Sequence, residues 1–120
     1  MAEAASILTM PEPIGERKLY KIYWNTPAKK HPELEISVRL QDSVHWICDE
    51  KKFRVLKVEP DPQRNPNAPR PFYREFPDDK CEYAFQVNSG PARPAACGFW
   101  YKPLFEFEDG STLDPHIHVG

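Results

Sequence analysis

The chain has 120 residues, of which 40% are hydrophobic and 28% charged, and its net charge is −2. That is enough chain to bury roughly two-thirds of its unfolded surface around one core. The charge leaves no electrostatic footprint for DNA or RNA, and no apolar run reaches the roughly 18 residues that span a bilayer. Fourteen prolines, against an average near 5%, exclude a helical bundle, because each proline inside a helix costs ~3 kcal/mol.

Residues 1–17 hold Pro11, Pro13 and Gly15 with little periodicity and read as an N-terminal arm. They lack a basic stretch and carry Glu3, so they do not read as a secretory signal. Cys48, Cys81 and Cys97 form no C-x-x-C pair and are odd in number. Buried, reduced thiols in a cytoplasmic protein are therefore expected. Residues 18–120 read as a single β domain. Lys18–Trp24 is dense in aromatic and β-branched residues, a strand signal. Leu34–Leu40 alternates, with Leu34, Ile36, Val38 and Leu40 on one side. A turn at Gln41-Asp42 leads to Ser43–Cys48, where Val44, Trp46 and Cys48 are in phase and predicted to face the core. Phe53–Val58 is a fourth strand whose alternation slips at Leu56, which predicts a bulge.

Pro60–Pro77 holds six prolines and almost no aliphatic residue. It reads as a long loop, which Pro71-Phe72-Tyr73 supplies with aromatic bulk to pin it down. Cys81–Val87 alternates, with Cys81, Tyr83, Phe85 and Val87 expected inward, and Asn88–Ala96 reads as a Gly/Pro loop. Phe99–Phe107 is a strand interrupted by Pro103, Glu108-Asp109-Gly110 a hairpin turn, and Thr112–Val119 the last strand. Seven antiparallel strands joined by polar turns predict an all-β, two-sheet sandwich, immunoglobulin-like in general plan.

Several short motifs sharpen this expectation. Asp42-Ser43-Val44-His45-Trp46 is followed by a charged turn with Phe53-Arg54-Val55, and then by the loop carrying Pro71-Phe72. Gly98-Phe99-Trp100-Tyr101-Lys102 comes next, and the chain closes on Asp109-Gly110-Ser111-Thr112-Leu113-Asp114-Pro115-His116-Ile117-His118-Val119. Over roughly residues 34–120 this resembles the small cupredoxin-like proteins, which implies a Greek-key β-sandwich with the tryptophan in its core. The resemblance does not carry the copper. A type 1 centre takes a histidine on the strand after the first motif, then a late cysteine, a second histidine and a weak methionine. Here Lys52-Phe53 stands at the first place, Cys97 has no histidine near it in sequence, and Met1 and Met10 lie in the arm. No cofactor is expected.

Asp114, His116 and His118 are the one cluster with ligand chemistry. At a strand period of two they share a face and could hold a divalent metal. They equally suit a structural ending in which Asp114 caps the turn before Pro115 and two histidines meet solvent. His31 and His45 read as surface residues. There is no G-x-S-x-G elbow and no glycine-rich phosphate loop, so an enzyme is not expected. Trp24, Tyr73, Phe99, Trp100 and Tyr101 exceed what one core face needs; outward rings mark recognition surfaces, and burial under the long proline-rich loop accounts for them equally well. The expected function is a non-catalytic binding or assembly module, contacting a protein partner or a second copy through Phe72, Tyr73 or Trp100. A metal-binding protein using Asp114, His116 and His118 is the alternative.

Overall fold

The computed structural model describes residues 16–78 and 81–120. The expected arm lies outside the described residues up to residue 15, as do Met1 and Met10. Among the described residues the protein is all-β, with two three-residue 3-10 turns, Ala28–Lys30 and Pro94–Ala96, as its helix. No helix there is long and apolar enough to cross a membrane. The strands, in chain order, are β1 Arg17–Lys21, β2 Leu34–Ile36, β3 Ser43–Ile47, β4 Phe53–Pro60, β5 Gln86–Pro91, β6 Trp100–Phe107, β7 Thr112–Leu113 and β8 Ile117–Val119.

They form two sheets. One has the order β1-β3-β5; the other runs β2-β8-β6-β4, with β7 also paired to β6. Both are mixed, because β1 pairs parallel with β3 and β2 parallel with β8. The expected all-antiparallel arrangement is thus corrected. After β1 the chain crosses to the other sheet for β2 and returns to lay β3 beside β1 in the same direction. Alternation along a strand reports which face is buried and carries no information about a neighbour's direction.

The buried faces of the two sheets meet in one cluster. Val44, Trp46 and Cys48 all point inward, as their phase predicts. The Trp46 ring packs edge-on against Phe105 of β6 at 5.4 Å, Phe76 at 5.9 Å and Phe72 at 6.2 Å. β6 alternates throughout, burying Tyr101, Pro103, Phe105 and Phe107. Pro103 does not interrupt it, contrary to expectation. This residue falls between the pairing of Tyr101 with β8 and that of Phe105 with β7, where β6 is bonded on one side. The register of β4 against β6 shifts between Val55 and Lys57, the bulge predicted at Leu56. A second irregularity lies between Ser43 and His45 of β3, and there the buried Ser89 hydroxyl accepts the Val44 N–H at 2.8 Å. Gly110 turns β6 into β7 at φ +87°, a conformation that glycine adopts without steric cost.

Three elements differ from the sequence reading. The expected last strand Thr112–Val119 is two strands, β7 and β8, which makes eight strands among the described residues where seven were expected. The alternating strand expected at Cys81–Val87 begins only at Gln86 and runs on to Pro91, through residues that read as loop. Residues 81–85 instead cross between the sheets: Ala84 bridges Phe53, and Phe85 accepts the Cys48 N–H at 2.9 Å. Tyr83 and Phe85 therefore face outward. Arg54 lies over the Tyr83 ring and Lys52 over the Phe85 ring. Likewise Leu34–Leu40 is extended only to Ile36, after which residues 38–41 turn. The buried Asp42 anchors that turn, its carboxylate accepting the N–H groups of Ser37 at 2.8 Å and Glu16 at 2.9 Å.

The turn before β7 is tied to the segment after β1 by Asp109. Its carboxylate accepts the Trp24 indole N–H at 2.9 Å and both the N–H and the hydroxyl of Ser111. Those bonds, led by the Ser111 hydroxyl, pull its carboxyl from the ordinary 3.8 down to about 2. A carboxylate depressed in the folded state contributes its stabilisation above the unfolded value and loses it as pH falls through the folded one. The Trp24 indole N–H resonance is therefore expected to hold its position through pH 4 and to move with a midpoint near 2. A midpoint near 4 would show that Asp109 does not accept these bonds.

Candidate interaction surface

Of the residues singled out in the sequence, Trp100, Asp114, His116 and His118 collect on the outer side of β2-β8-β6. Trp100 and His118 are register partners, and their rings lie 4.7 Å apart. The Arg64 guanidinium covers the Trp100 ring at 3.9 Å, and it lies 3.7 Å from carboxylates of both Glu33 and Asp61. His118 Nδ1 sits 2.7 Å from Glu35. The proline-rich loop is clamped to the same place. The Asn65 side chain accepts the Trp100 N–H at 2.9 Å and donates to its carbonyl at 2.8 Å, as a neighbouring strand would.

Asp114, His116 and His118 alternate with buried Leu113, Pro115, Ile117 and Val119, so they do share the outer side. Their polar atoms do not converge. Asp114 pairs with Lys102 at 3.1 Å, His116 lies 3.6 Å from the buried Asp61, and His118 turns to Glu35. Among the described residues no three His, Cys, Asp or Glu side chains surround a point where a metal ion could sit. A cleft of about 510 Å³ opens beside them, lined by Lys29, Glu33, Lys102, Asp114 and His116. Its walls carry both signs of charge and include His31.

Three surface assignments are corrected. Phe72 is 1% exposed: it bridges Ala92 next to β5 and drives its ring against Trp46, so it cannot meet a partner. His31 is buried, with Nε2 accepting the Tyr23 N–H at 3.0 Å and Nδ1 held to the Pro27 carbonyl at 3.1 Å. Of the thiols only Cys48 is buried; Cys81 is half-buried and Cys97 exposed, all three free. Tyr73, the neighbour of Phe72, does face outward and is 55% exposed. Trp100 is half-buried beneath Arg64.

The open surface belongs to the other sheet. Arg17, Leu19 and Lys21 of β1 point outward beside His45 and Ile47 of β3, in register Leu19 to His45 and Lys21 to Ile47. Leu19 is 67% exposed, more than any other large hydrophobic residue of the described chain. The His45 ring is held by Gln86 of β5 at 2.7 Å, which gives this face a polar border. Leu19 was missed because the run Lys18–Trp24 is apolar enough to read simply as a strand. The signal was nonetheless present: Tyr20 and Ile22 are in phase with each other and bury, so Leu19 stands out of phase.

Comparison with protein-family models, with curated proteins and with solved structures finds no match to this chain.

Proposed function

We propose that the chain is a non-catalytic binding or assembly module, built on a cupredoxin-like Greek-key β-sandwich without the copper ligands. Two mixed sheets sharing one aromatic core, with Trp46 at its centre, support the sandwich. Three free thiols suit a reducing compartment such as the cytoplasm. The observation that carries the function is the exposed Leu19, set on an edge strand in register with His45 and one pair away from Ile47. Most of the outer side of the larger sheet is satisfied internally: its cations, carboxylates and rings pair with one another. Around Leu19 an apolar side chain and its polar border await a partner, the plan of an interface with a dry centre and a wet rim. The alternative, a metal held by Asp114, His116 and His118, requires those side chains to leave Lys102, Asp61 and Glu35.

The test is a pull-down with the native chain and with Leu19→Ser as baits. An exposed substitution of this kind is expected to change stability by no more than about 0.5 kcal/mol. Proteins retained by the native chain should be lost from Leu19→Ser and kept by the double variant His116→Ala, His118→Ala. Retention by all three baits would remove the proposal. A stoichiometric metal in the purified protein, lost with the two histidines, would put the metal reading in its place.

A further inference from the structure

We infer that the free edge of β1 receives an acidic, extended segment of a partner protein, which adds to β1-β3-β5 as a fourth strand. This rests on the binding-module reading and names how that module would hold its partner. The first observation is which edges are already closed. The edge of β5 is covered by residues 72–74: Tyr73 donates to the Pro91 carbonyl at 3.3 Å and Arg74 to that of Asn88 at 2.7 Å. The start of β4 is covered by Ala84 and Cys81, and its remainder follows a bulge, carries the Lys57–Glu59 pair and ends on Pro60. Bulges, charges and prolines are the devices that blunt an edge. Of the three residues of β2, Leu34 and Ile36 bond toward β8, which leaves Glu35 alone facing out.

β1 is different. Ser43 donates to the Glu16 carbonyl at 3.0 Å and Ile22 donates to that of Ile47 at 2.7 Å. The even-numbered residues therefore bond to β3, and by strand alternation the N–H and C=O groups of Arg17, Leu19 and Lys21 point away from the sheet. Among the described residues nothing accepts or covers them. An incoming strand would take its hydrogen bonds from these three residues, whose side chains all lie on the outer face. Main-chain bonds then supply affinity, and alternate side chains supply specificity.

Charge selects the occupant. Lys18 is paired with Glu16 and Lys21 with Asp49, whereas Arg17 has no carboxylate partner among the described residues. A second copy added antiparallel about Leu19 would set Arg17 opposite Lys21 of that copy, and like charges directly opposite destabilise a sheet. A segment with a carboxylate facing Arg17 and an apolar side chain two residues away facing Leu19 meets both.

The probe is the peptide acetyl-Thr-Glu-Val-Leu-Val-Glu-Thr-amide, which places Glu and Leu two residues apart in either direction. It is added to the isotope-labelled full chain, with a control peptide carrying Lys for both Glu. The acidic peptide is expected to bind at least tenfold more tightly than the control and to slow amide exchange at Arg17, Leu19 and Lys21. Leu19→Pro removes an N–H that the sheet does not use, so the fold should survive and peptide binding should be lost. Should that variant unfold, Arg17→Glu serves instead and is expected to reverse the preference between the peptides. Equal binding of both peptides, or protection at another edge, overturns the proposal. So does protection of the β1 amides in the protein alone, whether it grows with concentration, as a second copy requires, or does not, as the chain's own residues would require. If Leu19→Pro keeps the partner that Leu19→Ser loses, the edge is wrong and the module stands; if both variants keep it, both readings fail.

Discussion

Trp46→Ala is expected to lower stability by about 3–5 kcal/mol, the usual cost of removing a buried large aromatic. The side chain is fully buried on β3 and meets Phe72, Phe76 and Phe105 edge to face, so three ring contacts are lost together with the buried area. In a chain of this size that corresponds to a fall in Tm of roughly 10–20 °C. Trp46→Phe should cost clearly less. The indole Nε1 has no hydrogen-bond partner among the described residues, so phenylalanine keeps a ring in place and removes a buried, unsatisfied donor. Urea titrations of both variants measure the difference. A loss below about 1 kcal/mol for the alanine variant would mean that the two sheets do not meet at Trp46.

Phe72→Ser and Tyr73→Ser are expected to behave as opposites although the residues are adjacent. Phe72 is buried against Trp46, and serine there leaves a cavity and buries a hydroxyl, for a loss of about 3–5 kcal/mol. Tyr73 is exposed, and its substitution should stay within about 0.5 kcal/mol. The pair tests where the proline-rich loop turns inward. Equal and small effects would show that the loop does not dock through Phe72. The experiment also separates structure from recognition, because a binding defect in Phe72→Ser alone reports a damaged core.

Where one face of a strand is buried, the sequence was legible. Val44 and Trp46 in β3, and Cys48 just after it, were placed on one side by period alone, and so was the Leu56 bulge. Each follows from a pleat that sends successive side chains to opposite sides. The same rule failed at Cys81–Phe85. Tyr83 and Phe85 keep the period of an inward strand, yet the core positions beside them are filled by Phe53, Phe105 and Phe107. The rings are left outside under Arg54 and Lys52. Period states which residues share a side; it does not state which side faces the core.

The candidate sites divide in the same way. That Asp114, His116 and His118 share a face was readable from their spacing. Their divergence toward Lys102, Asp61 and Glu35 was not, since those partners come from β6, from the turn after β4 and from β2. Aromatic excess announced outward rings without telling Tyr73 from Phe72, because both sit in a loop with no period to read.

By itself the sequence determined that this protein is all-β, since its prolines forbid long helices and its apolar residues recur at the strand period. It also put Val44, Trp46 and Cys48 on one side of a strand, with Trp46 expected in the core. Strand direction, the crossing of residues 81–85 between sheets and the identity of the open edge were decided only by the tertiary structure. Each depends on hydrogen bonds between residues distant in the chain, and a backbone N–H or C=O is the same in every residue except proline. Local pattern records what a side chain prefers, whereas pairing is settled by which strands the folded chain brings together.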